Sequence, residues 1–174
     1  MHCLLFSTAM GTCGLAWEEG RLTRFHLPEE SEAILRRRLT AGGNQPEPEE
    51  ESPEWIRRLV ARVRLHLEGQ VQDFSDVPLE WSQVSEFQRS VYEQTRAIRA
   101  GYKRGYGEIA QALALGPGSA RAVGVALATN PWPLVIPCHR VVSADDRMTG
   151  FSGPGGIRTK TRLLALEGAE LLSE

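Results

Sequence analysis

The sequence predicts an α/β protein of the α+β type: a small N-terminal domain with an antiparallel sheet and helices, followed by a mainly helical C-terminal domain. Three features of the 174 residues support this division. Short alternating apolar runs occur only near the N-terminus, helical periodicity dominates the remainder, and the two halves differ in net charge. We place the domains at residues 1–80 and 81–174.

The N-terminal half begins with three runs of strand character, at residues 3–7, 12–17 and 21–27. Gly11 and the pair Glu19-Gly20 separate these runs, which predicts an antiparallel meander. Helices are predicted over 28–39 and 53–67, and the second has an apolar stripe formed by Ile56, Leu59, Val60, Val63 and Leu67. Between the two helices, the acidic residues 45–54 predict an exposed, mobile loop.

The C-terminal half contains a predicted helix-turn-helix. A capping-box pattern at Ser85 and Gln88 starts the helix that precedes it. The pair covers about residues 106–114 and 119–129, and the turn 115–118, rich in Gly and Pro, separates the two helices. We expect Ser119 to cap the second helix.

The outward face of that second helix differs from an ordinary solvated surface. The face is small and nearly uncharged, and consists of Arg121, Val125, Ala128 and Thr129. We expect another molecule to cover it. A helix that reads bases in the major groove needs several Arg, Asn or Gln side chains, whereas small residues and one arginine suit a close approach to the minor groove, with little sequence preference.

The two halves of the chain differ in net charge, and the C-terminal half carries the positive charge that nucleic-acid binding requires. Residues 1–80 contain 9 Arg and no Lys against 14 Asp and Glu, for a net charge of −5, whereas residues 81–174 contain 11 basic and 8 acidic residues, for +3. The overall charge of −2 conceals this difference. Because the basic half carries the helix pair, electrostatic attraction to phosphate favours double-stranded DNA as the partner.

Residues 137–141 (PCHRV) place a thiol beside an imidazole, after the apolar approach 133–136. A thiol with a pKa of about 8.5 is only a few per cent thiolate at neutral pH, so a nucleophilic cysteine needs a neighbouring base or positive charge. His139 and Arg140 are candidates for both. Sequence adjacency alone leaves a second interpretation open, in which Cys138 is a buried structural cysteine.

Six segments of the chain together resemble the O6-alkylguanine-DNA alkyltransferases, also called methylated-DNA–protein-cysteine methyltransferases. In family order, they are 87–88 (FQ), 106–110 (YGEIA), 120–124 (ARAVG), 130–131 (NP), 136–141 (IPCHRV) and 163–168 (LLALEG). The resemblance covers residues 85–168. It implies direct-reversal DNA repair, in which the alkyl group of O6-alkylguanine, with O4-alkylthymine as a further candidate, passes irreversibly to one cysteine per molecule without a cofactor.

The resemblance also implies roles around the thiol. Cys138 is the alkyl acceptor, His139 takes the thiol proton through a bound water, and Glu167 orients the imidazole. This arrangement follows the logic of a hydrolase triad. Asn130 is expected to bond backbone near the site, and Lys160 is expected to favour the thiolate electrostatically.

For DNA, the resemblance implies that a nucleotide rotates out of the duplex. Arg121 would fill the vacated stack, while Tyr106 would crowd the phosphate backbone and donate its hydroxyl to a guanine ring nitrogen. Further DNA contacts are expected from Ala122, Val125, Ala126 and Arg140, and the alkyl pocket is expected to include Pro133, Val141, Phe151 and Ser152. The chain departs from the family at 150–156 (GFSGPGG), where Phe151 replaces a common tyrosine in a longer segment.

The sequence also bears on metal binding, membrane insertion and cellular location. Cys3, Cys13, His26 and His66 invite a zinc interpretation, but the chain has no C-x-x-C pair, and we predict no metal. Three cysteines are typical of a reducing compartment, and no apolar run is long enough to span a bilayer. We therefore expect a cytoplasmic monomer in a prokaryote, or a nuclear one in a eukaryote.

Three other classes of function remain open. A cysteine hydrolase would require an oxyanion hole, for which no motif is evident. A transcription factor would require several base-reading side chains on the second helix of the pair. A lesion-binding relative of the alkyltransferases, which signals to other repair pathways, would share Tyr106 and Arg121, but such relatives lack the cysteine found here at position 138.

Overall fold

The computed structural model describes residues 1–143 and 156–169. Its N-terminal part is an antiparallel sheet in the order β1-β2-β3, with β1 at His2–Thr8, β2 at Gly11–Glu18 and β3 at Arg21–His26. The predicted meander is confirmed. An irregularity between Ala16 and Trp17 shifts the register of β2 against β3.

Helix α1 spans Glu32–Thr40 and α2 spans Glu54–Leu67. The first begins later than predicted because Ser31 is extended, and its side chain accepts from Ile34 N at 3.2 Å. In α2, every position of the predicted apolar stripe is buried. This helix therefore packs as its periodicity predicts.

The acidic segment between α1 and α2 is anchored, which differs from the predicted mobile loop. Glu47 N donates to Cys3 O at 2.8 Å, next to a β-bridge between Cys3 and Pro46. Glu49 accepts from both terminal nitrogens of Arg64, at 2.6 and 2.9 Å. Pairing with β1 and with α2 thus holds a segment whose composition is that of a loop.

The C-terminal part contains α3 at Glu86–Arg96, α4 at Tyr106–Ala112, α5 at Ala120–Ala128 and α6 at Gly156–Leu166. Two short strands, β4 at Arg104–Gly105 and β5 at Val141–Val142, pair in parallel. The capping box of α3 is present as predicted. Ser119 differs from expectation: it has helical dihedral angles and makes no side-chain cap bond, because the turn before it leads directly into α5.

The main hydrophobic core runs through both halves of the chain, from β1 to α6. Trp132 connects them: its ring is fully buried against Trp81 and Tyr92, and its Nε1 donates to Leu22 O of β3 at 2.9 Å. The loop that contains Trp132 is thereby fixed against the sheet, while a domain boundary at residue 80 stays a prediction. Among the helices of residues 1–143 and 156–169, none combines the length and apolar character that a bilayer crossing requires.

Candidate active site

The Cys138 thiol lies on the 3-10 turn Cys138–Arg140, which follows a tightly bonded loop. Asn130 closes this loop, since its Nδ2 donates to Ile136 O at 2.9 Å and its Oδ1 accepts from Trp132 N at 2.9 Å. Cys138 N also donates to Ile136 O, at 2.7 Å. The side chain of Asn130 therefore fixes the backbone from which the thiol projects.

The thiol is almost completely enclosed, and Cys138 is only 9% exposed. Burial raises the pKa of the Cys138 thiol, and the hydrogen bond with Asn130 and the charge of Lys160 only partly oppose this rise. The resting state is consequently a thiol rather than a thiolate. Ionisation requires a group that can accept the proton.

Glu167 is the centre of a buried hydrogen-bond network next to this thiol. Both carboxylate oxygens lie 2.9 Å from His139 Nε2. Arg140 binds the same carboxylate as a fork, with Nε donating to Oε1 at 2.9 Å and Nη2 donating to Oε2 at 2.8 Å. The Nη1 of Arg140 donates to Ile98 O at 2.7 Å, so the guanidinium is fixed on both sides.

A second imidazole reaches the same carboxylate from the N-terminal half of the chain. His66 Nε2 lies 2.8 Å from Glu167 Oε2, and the side chains of both residues are fully buried. His66 is therefore part of the site, although it lies 101 residues from Glu167 in the sequence.

This network sets the protonation states of Glu167 and His139. Burial by itself would raise the pKa of Glu167, but His139, His66 and Arg140 outweigh burial and hold that pKa well below its usual range. Because the ionised carboxylate only accepts, His139 Nε2 carries a hydrogen and Nδ1 is a lone pair. Burial lowers the pKa of His139 despite Glu167, so the resting imidazole is neutral. Its Nδ1 has no hydrogen-bond partner among the described residues.

Lys160 and Tyr106 complete the charged and polar surroundings of the thiol. Lys160 is fully buried, its Nζ donates to Val141 O at 2.7 Å, and the Nζ lies 5.8 Å from the centre of the Tyr106 ring. Burial lowers the pKa of Lys160 to about 8, so the ammonium form still predominates at neutral pH. Burial also raises the pKa of Tyr106, which keeps its hydroxyl protonated.

The outward face of α5 is exposed as predicted, at Arg121, Val125, Ala128 and Thr129, and Ala122 is exposed beside it. Val125 is 61% exposed, which is unusual for a branched apolar side chain. Tyr106, at the start of α4, packs beside α5, where a Cβ on Gly124 would lie 3.9 Å from the ring. A small, weakly charged face thus lies next to the half-buried phenol.

Comparisons with known proteins identify the family of this chain. A family model for the DNA-binding domain of 6-O-methylguanine DNA methyltransferase matches residues 86–169. The methylated-DNA–protein-cysteine methyltransferase of Mycolicibacterium paratuberculosis is 41% identical over 117 residues, which are 67% of this chain and 68% of that protein. The chain belongs to the methylated-DNA–protein-cysteine methyltransferase family.

Two further similarities concern DNA. The crystal structure of Mycobacterium tuberculosis OGT in complex with DNA matches 97% of this chain and 93% of that chain, with a TM-score of 0.77 and 31% sequence identity. The DNA base-flipping protein of Thermus thermophilus is 38% identical over 112 residues, which are 64% of this chain and 73% of that protein.

Two of the residues expected at the DNA surface of this methyltransferase family member are buried. Arg140 is 6% exposed, and its guanidinium is committed to Glu167 and Ile98, so it organises the carboxylate, while its contact with DNA stays a prediction. Ala126 is 3% exposed, and its carbonyl accepts from Tyr92 at 2.6 Å. The burial of both residues has one cause: the sequence shows that a residue is basic or small, but tertiary packing decides which way it faces.

The expected pocket residues are only partly described. Pro133 is half-buried and pairs with Ile136, while Val141 is fully buried on β5. The expected pocket residues Phe151 and Ser152 lie outside the described residues.

His66 is the site residue whose role the sequence analysis missed. Within residues 1–143 and 156–169, no group of three or more His, Cys, Asp or Glu side chains is arranged to hold a metal ion. Cys3 and Cys13 are buried in the sheet, whereas His66 turns toward Glu167. The available signal was a histidine beside the apolar stripe of α2, and nothing in the sequence indicates which distant residue it contacts.

Proposed function

We propose that the protein repairs alkylated DNA by direct reversal, transferring the alkyl group of O6-alkylguanine to Cys138. The observation that carries this proposal is the state of His139. Its Nε2 is committed to an ionised Glu167, and its Nδ1 is an available lone pair on the residue that follows the protonated Cys138 in the chain. A neutral imidazole of this kind can accept the thiol proton as the sulfur attacks the alkyl carbon.

In the proposed transfer, one bond forms and one breaks at the alkyl carbon. The thiol proton passes to His139 Nδ1 through a bridging water, and the sulfur forms a bond to the alkyl carbon as the bond between that carbon and guanine O6 breaks. The electrons of the broken bond remain on guanine, whose ring nitrogen takes a proton from Tyr106. The proton held by His139 then returns through water to the Tyr106 oxygen, so both side chains regain their starting states. The net exchange turns a thiol and an alkylguanine into a thioether and guanine, without a cofactor.

The product explains why one molecule works once. A thioether has no proton to lose and is a poor leaving group, so no group in the site regenerates the thiol. Glu167 stabilises the imidazolium that forms transiently at His139, and Lys160 stabilises the developing thiolate.

For the base to reach an enclosed thiol, the nucleotide must leave the stack, at a cost of a few kcal/mol. We assign Arg121 to the vacated position because it is the long polar side chain on the exposed face of α5. The small neighbours of Arg121 permit close approach to the minor groove, and contacts with phosphate give little sequence preference. Because each lesion requires one thiol, we propose a monomer, located where the DNA is: the cytoplasm of a prokaryote or the nucleus of a eukaryote.

A second candidate function is lesion binding that signals to other repair pathways without efficient transfer. The similarity to a DNA base-flipping protein favours it. Recognition of a flipped base requires only Tyr106 and Arg121, so it does not explain why His139 and Glu167 are arranged beside a cysteine. We therefore rank alkyl transfer first.

Intact mass spectrometry tests alkyl transfer directly. After incubation with a duplex that contains one O6-methylguanine, each molecule should gain the mass of one methyl group, and peptide mapping should place that group on Cys138. A protein that binds the duplex tightly but gains no mass would support the lesion-binding alternative. Adducts on Cys3 or Cys13 would contradict the assigned acceptor.

Base flipping has a test of its own. Arg121→Ala should slow transfer from the duplex much more than transfer from free O6-benzylguanine, because the free base needs no flipping. Arg162→Ala is the matched control, since Arg162 is an exposed arginine on α6. Equal losses with both substrates would contradict the role of Arg121.

A further inference from the structure

Unlike His139, Arg140 and Glu167, His66 belongs to the N-terminal half of the chain. It lies in the last turn of α2, in the N-terminal half, and is 1% exposed. Its ring packs edge-on against Phe74 with a centroid separation of 5.3 Å, and its Nε2 lies 2.8 Å from Glu167 Oε2. The imidazole of His66 thus lies between the ring of Phe74 and the carboxylate of Glu167.

The backbone after α2 determines which nitrogen of His66 carries the hydrogen. Gly69 has a φ of 96° and lets the chain reverse at the end of the helix. The returning chain brings Gln72 N to within 3.0 Å of His66 Nδ1, to which it donates. Because Nδ1 accepts, a neutral His66 has its hydrogen on Nε2 and donates it to Glu167.

The Glu167 carboxylate is therefore surrounded by donors on three sides. Arg140 holds both oxygens as a fork, His139 lies equidistant from both, and His66 adds a third donor to Oε2. Without His66, Oε2 would keep only the bond from Arg140 and its share of the contact with His139, so fewer donors would fix the orientation of the carboxylate. His66 thus adds a constraint that keeps the carboxylate against the imidazole of His139.

We propose that His66 is a positioning residue for alkyl transfer: its Nε2–H holds Glu167 in the orientation in which Glu167 supports His139 as the proton acceptor for Cys138. The inference rests on the proposed function and extends it, because it makes the end of α2 part of the transfer machinery of the C-terminal half. The charged groups around this relay are Arg140, from the 3-10 turn, and Lys160, from α6, and both are retained in every variant below.

Two substitutions of His66 and one control test whether alkyl transfer depends on the hydrogen bond that His66 donates to Glu167 or only on the packing of its side chain. In His66→Gln, the amide nitrogen can occupy the position of Nε2 and restore the donor to Glu167. In His66→Asn, the side chain can still accept from Gln72 but is too short to reach Glu167. His26→Asn is the matched control, since His26 is a half-buried histidine on β3, in the N-terminal sheet.

Two rates should be measured as a function of pH from 6 to 10: methyl transfer from the lesion-containing duplex, and alkylation of Cys138 by iodoacetamide. His66→Asn should slow transfer about tenfold at pH 7 and move both profiles about one pH unit higher, because a thiol without its relay ionises with more difficulty. His66→Gln should stay within about twofold of the wild type, since it restores the donor. His26→Asn should lower the melting temperature without moving either profile.

The outcomes distinguish this inference from the proposed function. If the wild type takes no methyl group from DNA, the proposed function fails, while the iodoacetamide profiles still test His66. If His66→Asn only lowers the melting temperature, or if His66→Gln is as slow as His66→Asn, then His66 is structural and the inference is wrong. Should His66→Asn fail to fold, His66→Leu, which keeps the packing against Phe74 and lacks the donor, replaces it with the same expected shift.

Discussion

The thiols of Cys13 and Cys138 are both buried, but they differ in the polar and charged groups around them. Cys13 lies on β2, where burial raises the pKa of its thiol to about 12, and its polar neighbour is Thr8 Oγ1 at 3.9 Å. Cys138 is also buried with a raised pKa, but Asn130 and Lys160 oppose that rise and His139 follows it in the chain. Burial alone makes a thiol inert, so reactivity depends on the groups that can take its proton and stabilise its charge.

The backbone explains why the two environments differ. Cys13 is on a strand that is paired on both sides, so its neighbours are ladder partners and core side chains. Cys138 is on a single 3-10 turn whose loop is closed by an asparagine side chain, and helix α6 brings Lys160 and leads to Glu167. An irregular turn can collect side chains from several elements, which a strand in the middle of a sheet cannot do.

Removing each thiol gives the largest expected contrast. Cys138→Ser should abolish methyl transfer while retaining affinity for the duplex, because a hydroxyl is similar in size but far less nucleophilic. Cys13→Ser should leave transfer unchanged and lower the melting temperature, since it buries a hydroxyl in the sheet. Intact mass measures transfer, and fluorescence anisotropy measures DNA affinity. Residual transfer in Cys138→Ser would mean that the two thiols do not differ as described.

The relay should have the next largest effect. His139→Ala and Glu167→Gln should each slow transfer by about a hundredfold at pH 7, and the double variant should lose little more, because residues that act as one unit are not additive. Single-turnover rates across pH 6–10 test this, and each variant should recover as pH rises toward the pKa of the unassisted thiol. Independent, multiplying losses would show that Cys138 ionises by another route.

Lys160 should have a smaller effect that depends on pH. Since its pKa is lowered to about 8, Lys160 is charged at pH 7 and largely neutral at pH 9. Lys160→Met should therefore raise the thiol pKa by about one unit, which slows transfer about tenfold at pH 7 and much less at pH 9. Arg158→Met is the control, since Arg158 is exposed on the same helix. An equal loss at both pH values would assign Lys160 to packing rather than to charge.

The sequence predicted the elements whose signals are local. Alternation and glycine turns indicated the three strands, the apolar stripe indicated α2, and the Ser85–Gln88 pair indicated the start of α3. The exposed face of α5 was likewise predicted from helical spacing. Two features were predicted less well. The segment 45–54 is held by a backbone bond to the distant Cys3, and Ser119 is helical because the turn before it leads directly into α5.

The sequence by itself determined the chemistry: a thiol beside an imidazole, a nearly uncharged helix face with one arginine, and a basic C-terminal half. These features depend on residue types at short spacings, which chain geometry preserves. Only the tertiary structure decided that Arg140 turns inward to the carboxylate, that Ala126 is buried, and that His66 joins Glu167 across 101 residues. Contacts over such separations depend on how whole elements pack, and no local pattern of residues records that packing.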